Sequence, residues 1–186
     1  MKKIALVTIA FILSAFSLKA ELPEGIYVIK NGQVVVEKVI PFSISKDQAS
    51  AAVNSFFVTK LNDSNQTLKN SSDDYYVAKI LTPQLANLGM GAYTMGELTI
   101  DIRFKEDRMK VSVSCDNIIN KNNQGTNITN YSPLDAAPLA EKHNSWKTNL
   151  FKKQAEETFK NLVLYMALIV ENLNSAVQNA KDEDDW

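Results

Sequence analysis

ELTIDIRFKEDRMKVSVSCDNI, residues 97–118, decides the fold. Leu98, Ile100, Ile102 and Phe104 alternate with Glu97, Thr99, Asp101 and Arg103. Beyond Lys105-Glu106-Asp107, Met109, Val111, Val113 and Cys115 alternate with Arg108, Lys110, Ser112 and Ser114. Period two on both sides of a polar turn predicts a β-hairpin with one dry face and one wet face. With Glu106-Asp107 as the turn, Phe104 faces Met109, Ile102 faces Val111 and Ile100 faces Val113. A slip of one residue would set apolar against polar, so the register is strongly specified. The dry face needs a cover, which the rest of the chain must supply.

Composition bounds the problem. The 186 residues are 45% hydrophobic and 22% charged, values of a globular chain long enough to bury a core without staples. The first twenty residues stand apart. Lys2 and Lys3 precede an apolar run over Ile4–Phe16, and Ser17-Leu18-Lys19-Ala20 offers small residues for cleavage after Ala20. This is the pattern of a secretory signal peptide, too short to span a bilayer. Its removal takes away Lys2, Lys3 and Lys19, leaving 17 Lys+Arg against 21 Asp+Glu and a net charge of −4. A mildly acidic chain is a poor candidate for nucleic acid or anionic membrane surfaces. The one cysteine, Cys115, lies inside the hairpin, so there is no lipobox cysteine and no intramolecular disulfide. The expected product is exported to the periplasm, cell surface or medium, is not a lipoprotein, and makes no stable membrane insertion after cleavage.

Outward from the hairpin, Ile26–Ile29 and Val34–Val36 flank Asn31-Gly32, a strong hairpin signal because both turn residues favour positive φ. The second strand runs towards Ile40, and Pro41 ends it. Ser45–Leu61 reads as a helix with a Ser45/Gln48 capping box and a stripe of Ala49, Ala52, Val53, Phe56, Phe57 and Leu61. Residues 62–74 are polar, with Thr67-Leu68-Lys69 a candidate edge strand, and Tyr75–Leu81 reads as a strand. Pro83, Gly89 and Gly91 predict a loop over Thr82–Thr94, and Asn-rich 120–133 another. Ser145–Asn179 is the longest helix, stepping through Phe151, Ala155, Phe159, Leu162, Met166, Ile169, Leu173, Ala176 and Ala180. Its segment Leu162–Val170 is apolar almost all round, because Leu164 and Leu168 lie off the main stripe. An acidic tail, 181–186, closes the chain. The organisation is one α+β domain over 21–180, with its core in 34–118 and the helix 145–179.

Little here carries chemistry. The single imidazole, His143, sits in a polar stretch and would have to serve any Ser-His-Asp or Cys-His site. Cys115 alternates onto the dry face, where a thiol is inert. No cluster of His, Cys and carboxylates has metal-ligand spacing, and Gly89-Met90-Gly91 lacks the helix and lysine of a phosphate loop. No catalytic residue, cofactor or metal site is expected. Asp73-Asp74 and Glu106-Asp107 read as turn residues. Tyr75, Tyr76 and Tyr93 read either as half-buried sheet tyrosines or as an aromatic patch.

Three blocks resemble a family of small exported Bacteroidetes proteins, a domain of unknown function described as having a TBP-like fold. They are VVVEKVIPFSISKDQASAAVNSFFVTKL (34–61), the hairpin around Leu68–Leu81, and the strand–turn–strand with Arg108 after its turn and Asp116-Asn117-Ile118 at its end. Asp107 stands where the family's turn carries glycine. The resemblance implies an antiparallel curved sheet in β-α-β(4)-α order, gripping a long C-terminal helix, here with an N-terminal β-hairpin added. It implies no activity.

Two functions from different classes follow. One is a non-enzymatic module that binds an unidentified protein or a second copy of itself, with Leu164, Tyr165 and Leu168 as the interface. The alternative is a carrier for a small apolar ligand, held between sheet and last helix by Phe104, Val111, Val113, Leu162, Met166 and Ile169; it rests on analogy of fold.

Overall fold

A computed structural model describes residues 22–60, 67–72, 74–135 and 149–180. The expected signal peptide, His143 and the acidic tail lie outside these residues. Eight strands form one antiparallel sheet: β1 (Val28–Lys30), β2 (Gln33–Pro41), β3 (Thr67–Ser72), β4 (Tyr75–Leu81), β5 (Ala86–Gly89), β6 (Ala92–Lys105), β7 (Arg108–Lys121) and β8 (Asn127–Tyr131). The strand order is β1-β2-β7-β6-β4-β3, with β5 added beside β6 and β8 beside β7. Two helices, α1 (Lys46–Lys60) and α2 (Asn149–Asn179), complete the α+β fold.

The hairpin has the predicted register. Phe104 pairs with Met109, Ile102 with Val111, Ile100 with Val113 and Lys105 with Arg108 around Glu106-Asp107. Its dry face is closed: Leu98, Ile100, Ile102, Met109, Val111, Val113 and Cys115 have no exposed surface. The N-terminal hairpin also forms, with Asn31 and Gly32 at φ 51° and 76°. Ser45 caps α1: its Oγ accepts from the Gln48 amide at 3.2 Å, and Gln48 Oε1 accepts from the Ser45 amide at 2.8 Å.

The two loops predicted from glycine, proline and asparagine content are hairpins instead. Over Thr82–Thr94 the chain forms β5 and returns as β6 through Gly89-Met90-Gly91, all three at positive φ. Over 120–133, β7 runs on to Lys121 and returns as β8 through a turn held by Asn122, whose side chain accepts from the Gln124 and Thr126 amides. Six strands, not four, therefore separate the helices. The same residue types that break helices supply these turns.

Both helices cover the dry face. In the first half of α2 the Thr158 and Thr94 hydroxyls meet at 3.2 Å and Asn161 donates to the Leu85 carbonyl at 2.6 Å. In its second half Lys38 pairs with Glu171, and at its end Gln178 donates to the Pro41 carbonyl at 2.9 Å. The helical rise from Glu171 to Gln178 and the strand rise from Lys38 to Pro41 are both about 10 Å, so α2 tracks β2 towards the β6–β7 turn. Gly96 permits the close approach over β6, since a Cβ there would lie 3.0 Å from Leu162 Cδ1. α1 lies beside α2, with Phe57 stacked on Tyr76 of β4 at 6.3 Å. Among the described residues no helix is long and apolar enough to cross a membrane.

Candidate functional site: the open face of the sheet

The strand alternation that fills the core sends every second side chain of β2, β7, β6 and β4 to the face away from the helices. That face divides into two halves. The half around Asp116 is a closed polar network. Leu98 pairs with Cys115 and Glu97 with Asn117, so Asp116 is an extra residue in β7, a β-bulge. A bulge re-aims a side chain, and here it sends both Asp116 and Asn117 to the open face. Asp116 accepts from Lys79 of β4 at 2.6 Å, Thr99 of β6 at 2.9 Å and Gln33 of β2 at 3.2 Å. Asn117 donates to Glu97 at 3.1 Å. The Asp116 contact holds Lys79 above the ordinary lysine value. One carboxylate thus ties four adjacent strands.

The half nearest the β6–β7 turn is different. Its register lines up Val39, Lys110, Arg103 and Tyr75 in one row across β2, β7, β6 and β4. The next row sets Pro41, Arg108 and Lys105 side by side. Arg103 therefore faces Lys110, and Lys105 faces Arg108. Like charges directly opposite one another destabilise an antiparallel pair.

Some neutralisation comes from the side. Arg103 is held by Asp101 at 3.1 Å and lies 5.7 Å over the Tyr75 ring, and Lys110 reaches Glu37 at 3.1 Å. Glu37 is shared with Lys30, and the two cations pull its carboxyl below the ordinary range. Among the described residues Arg108 has only the neighbouring Asp107 at 3.5 Å, and no carboxylate pairs with Lys105. Between the rows and the Asp74 turn lies an open cleft of about 740 Å³, lined by Val39, Asp74, Tyr75, Arg103, Phe104, Lys105, Arg108 and Lys110. Asp74 itself pairs with Lys46 at the start of α1. Val39 is 55% exposed, so the cleft offers an apolar and an aromatic wall beside its cations.

The residues expected to carry function fall elsewhere. Phe104, Val111, Val113, Leu162, Met166 and Ile169 come together in one continuous core, none more than 6% exposed. Phe104 alone also reaches the cleft. On the outer side of α2, Leu168 is 37% exposed while Leu164 and Tyr165 are half-buried. Cys115 is a free, buried thiol; burial pushes its pKa far up, followed by the effect of the Asp116 carboxylate. Tyr76 is a core residue whose hydroxyl meets Ser50 at 3.1 Å. Among the described residues no three His, Cys, Asp or Glu side chains are placed to share a metal ion.

The fold has known counterparts. The chain is similar to a TBP-like protein from Parabacteroides distasonis, at 17% identity, over 82% of this chain and 95% of that one, with a TM-score of 0.55. It is also similar to a DUF4468 family protein from Bacteroides ovatus, at 14% identity, over 83% and 91% of the two chains, with a TM-score of 0.61. Both source organisms are Bacteroidetes, and the TBP-like fold implied by the sequence resemblance is the fold found. No family model matches the sequence, and no curated protein matches it.

Proposed function

We propose that the protein is an exported, non-catalytic interaction module, and that the turn-side half of its open sheet face takes up a carboxylate-rich protein segment. The observation that carries this reading is the double row of cation against cation. Four cations on two rows meet three carboxylates, Asp101, Glu37 and Asp107, and none of the described residues gives Lys105 one, an arrangement that an anionic partner relieves. Val39 and Tyr75 give such a partner apolar contact on either side. Export rests on the first twenty residues, and an intact mass beginning at Glu21 in the purified protein tests it. Self-association through Leu164, Tyr165 and Leu168 has less behind it, because a single leucine 37% exposed is ordinary for a helix surface.

A fluorescent ten-residue peptide of Asp, Glu and one Trp, with an Asn/Gln twin as control, tests the reading by anisotropy. The acidic peptide should bind more tightly than its twin, with affinity falling as salt rises, and Arg103→Glu/Lys110→Glu should abolish the difference. Equal binding of the two peptides would overturn it.

A further inference from the structure

The cations of the open face form a compact island. Arg103 and Lys105 stand at alternate positions of β6, and Lys110 and Arg108 face them from β7. The two rows are therefore about 7 Å apart along the strands, and the two strands about 5 Å apart across them. Along the strands the island is hemmed in by acid. One row back, Asp101 of β6 and Glu37 of β2 stand on either side of Ser112 of β7. One step forward lies the Glu106-Asp107 turn, with both residues exposed. Across the strands the limits are uncharged, because Val39 of β2 and Tyr75 of β4 close the first row. Charge along β6 thus runs negative, positive, positive, negative from Asp101 through Arg103 and Lys105 to the turn. An extended chain presents every second side chain on one face, and that repeat is also about 7 Å. A segment lying along β6 and β7, between Val39 and Tyr75, sets one carboxylate over each row with its residues i and i+2. In either chain direction, its residues i−2 and i+4 then come over Asp101 and Glu37 at one end and over the turn at the other. A third carboxylate meets its own charge there, and a lysine meets the opposite one.

We propose that this surface selects an extended protein segment with two carboxylates at alternate positions, an acid-x-acid motif, flanked two residues away on each side by basic or neutral side chains. A longer run of acid is a poorer ligand. This rests on the binding reading above and goes beyond it by fixing the spacing and the number of the charges that are read.

The test measures anisotropy of fluorescent seven-residue peptides with blocked termini, at low salt, on the protein. Three isomers share one composition: Gln-Ser-Glu-Ser-Glu-Ser-Gln, Gln-Ser-Ser-Glu-Glu-Ser-Gln with adjacent acids, and Gln-Glu-Ser-Ser-Ser-Glu-Gln with the acids one helical turn apart. The alternating isomer should bind about threefold more tightly than either other, the scale of one or two cross-strand charge pairs. Its flanks are then changed. Lys-Ser-Glu-Ser-Glu-Ser-Lys should bind more tightly, and Glu-Ser-Glu-Ser-Glu-Ser-Glu more weakly, although the first is neutral and the second carries the most negative charge. Lys105→Gln/Arg108→Gln should erase the spacing preference, and Glu37→Gln/Asp101→Asn should reduce the penalty on acidic flanks. Tightest binding by the Glu-flanked peptide would mean general attraction to polyanions and overturns the proposal. Equal or tighter binding by the adjacent or the helical-turn isomer overturns it as well. Either failure leaves the binding reading standing, provided that the ten-residue acidic peptide still outbinds its amide twin. If those two bind alike, both readings fall.

Discussion

The two halves of the open sheet face are built on the same four strands and differ in how their charges are met. Around Asp116 one carboxylate accepts from Lys79, Thr99 and Gln33, and Glu97 meets Asn117. At the β6–β7 turn, cations face cations, with Asp101 and Glu37 reaching them from the adjoining row. The first half is internally satisfied and holds strands together. The second keeps like charges opposed, the feature on which the proposed acidic partner rests. Both contrast with the opposite face, where the same strands bury nearly all they present and Lys38 is the exposed exception, paired with Glu171 of α2.

The largest expected effect checks that the buried face carries the stability. Ile102→Ala and Met166→Ala, at sites with no exposed surface, should each cost about 2–5 kcal/mol in urea unfolding. A loss well under 1 kcal/mol at Met166 would mean slack space between sheet and helix, and would revive the apolar carrier.

Asp116→Ala comes next. It should cost about 1–3 kcal/mol, because three donors lose their acceptor. A double-mutant cycle with Lys79→Ala should show coupling, and additive losses would mean that the bulge network is ornamental.

Acid distinguishes the halves further. Lys30 and Lys110 lower the Glu37 carboxyl pKa from 4.5, so its contribution is complete above that value and fades as pH falls through the lower folded value. Glu37→Gln should flatten this part of the acid limb in a pH series of unfolding curves. An unchanged slope below about pH 4.5 would deny the contact.

The smallest effect is the most pointed. Lys105→Glu replaces the repulsive pair with Arg108 by an attractive one and should stabilise by about 0.2–1 kcal/mol. Thermal unfolding of the two chains reads the difference, and an unchanged or lower midpoint in Lys105→Glu would deny the repulsion.

Much of the fold was legible because β6 and β7 repeat with period two around a polar turn, and because Ser45/Gln48 and Asn31-Gly32 are local signals. β5 and β8 were not, since Gly89-Met90-Gly91 and Asn122–Gly125 punctuate a hairpin with the residues that also mark loops. The bulge left a trace: Cys115 and Ile118 are separated by two polar residues where alternation allows one. The cation rows were also written in the sequence. Once Glu106-Asp107 is the turn, Lys105 must face Arg108 and Arg103 must face Lys110, but a wet face reads as merely solvated until its pairs are written out. The part played by Val39 and Tyr75 needed the sheet order, because β2 and β4 reach these rows only through long-range pairing.

The most direct test of the central claim is a two-dimensional amide NMR titration of the protein with the acidic peptide. The account predicts salt-sensitive shifts confined to Val39, Tyr75 and residues 103–110, with the amides around Asp116 and along α2 unmoved. Shifts centred on Leu164, Tyr165 and Leu168, or none on the open face, would contradict it.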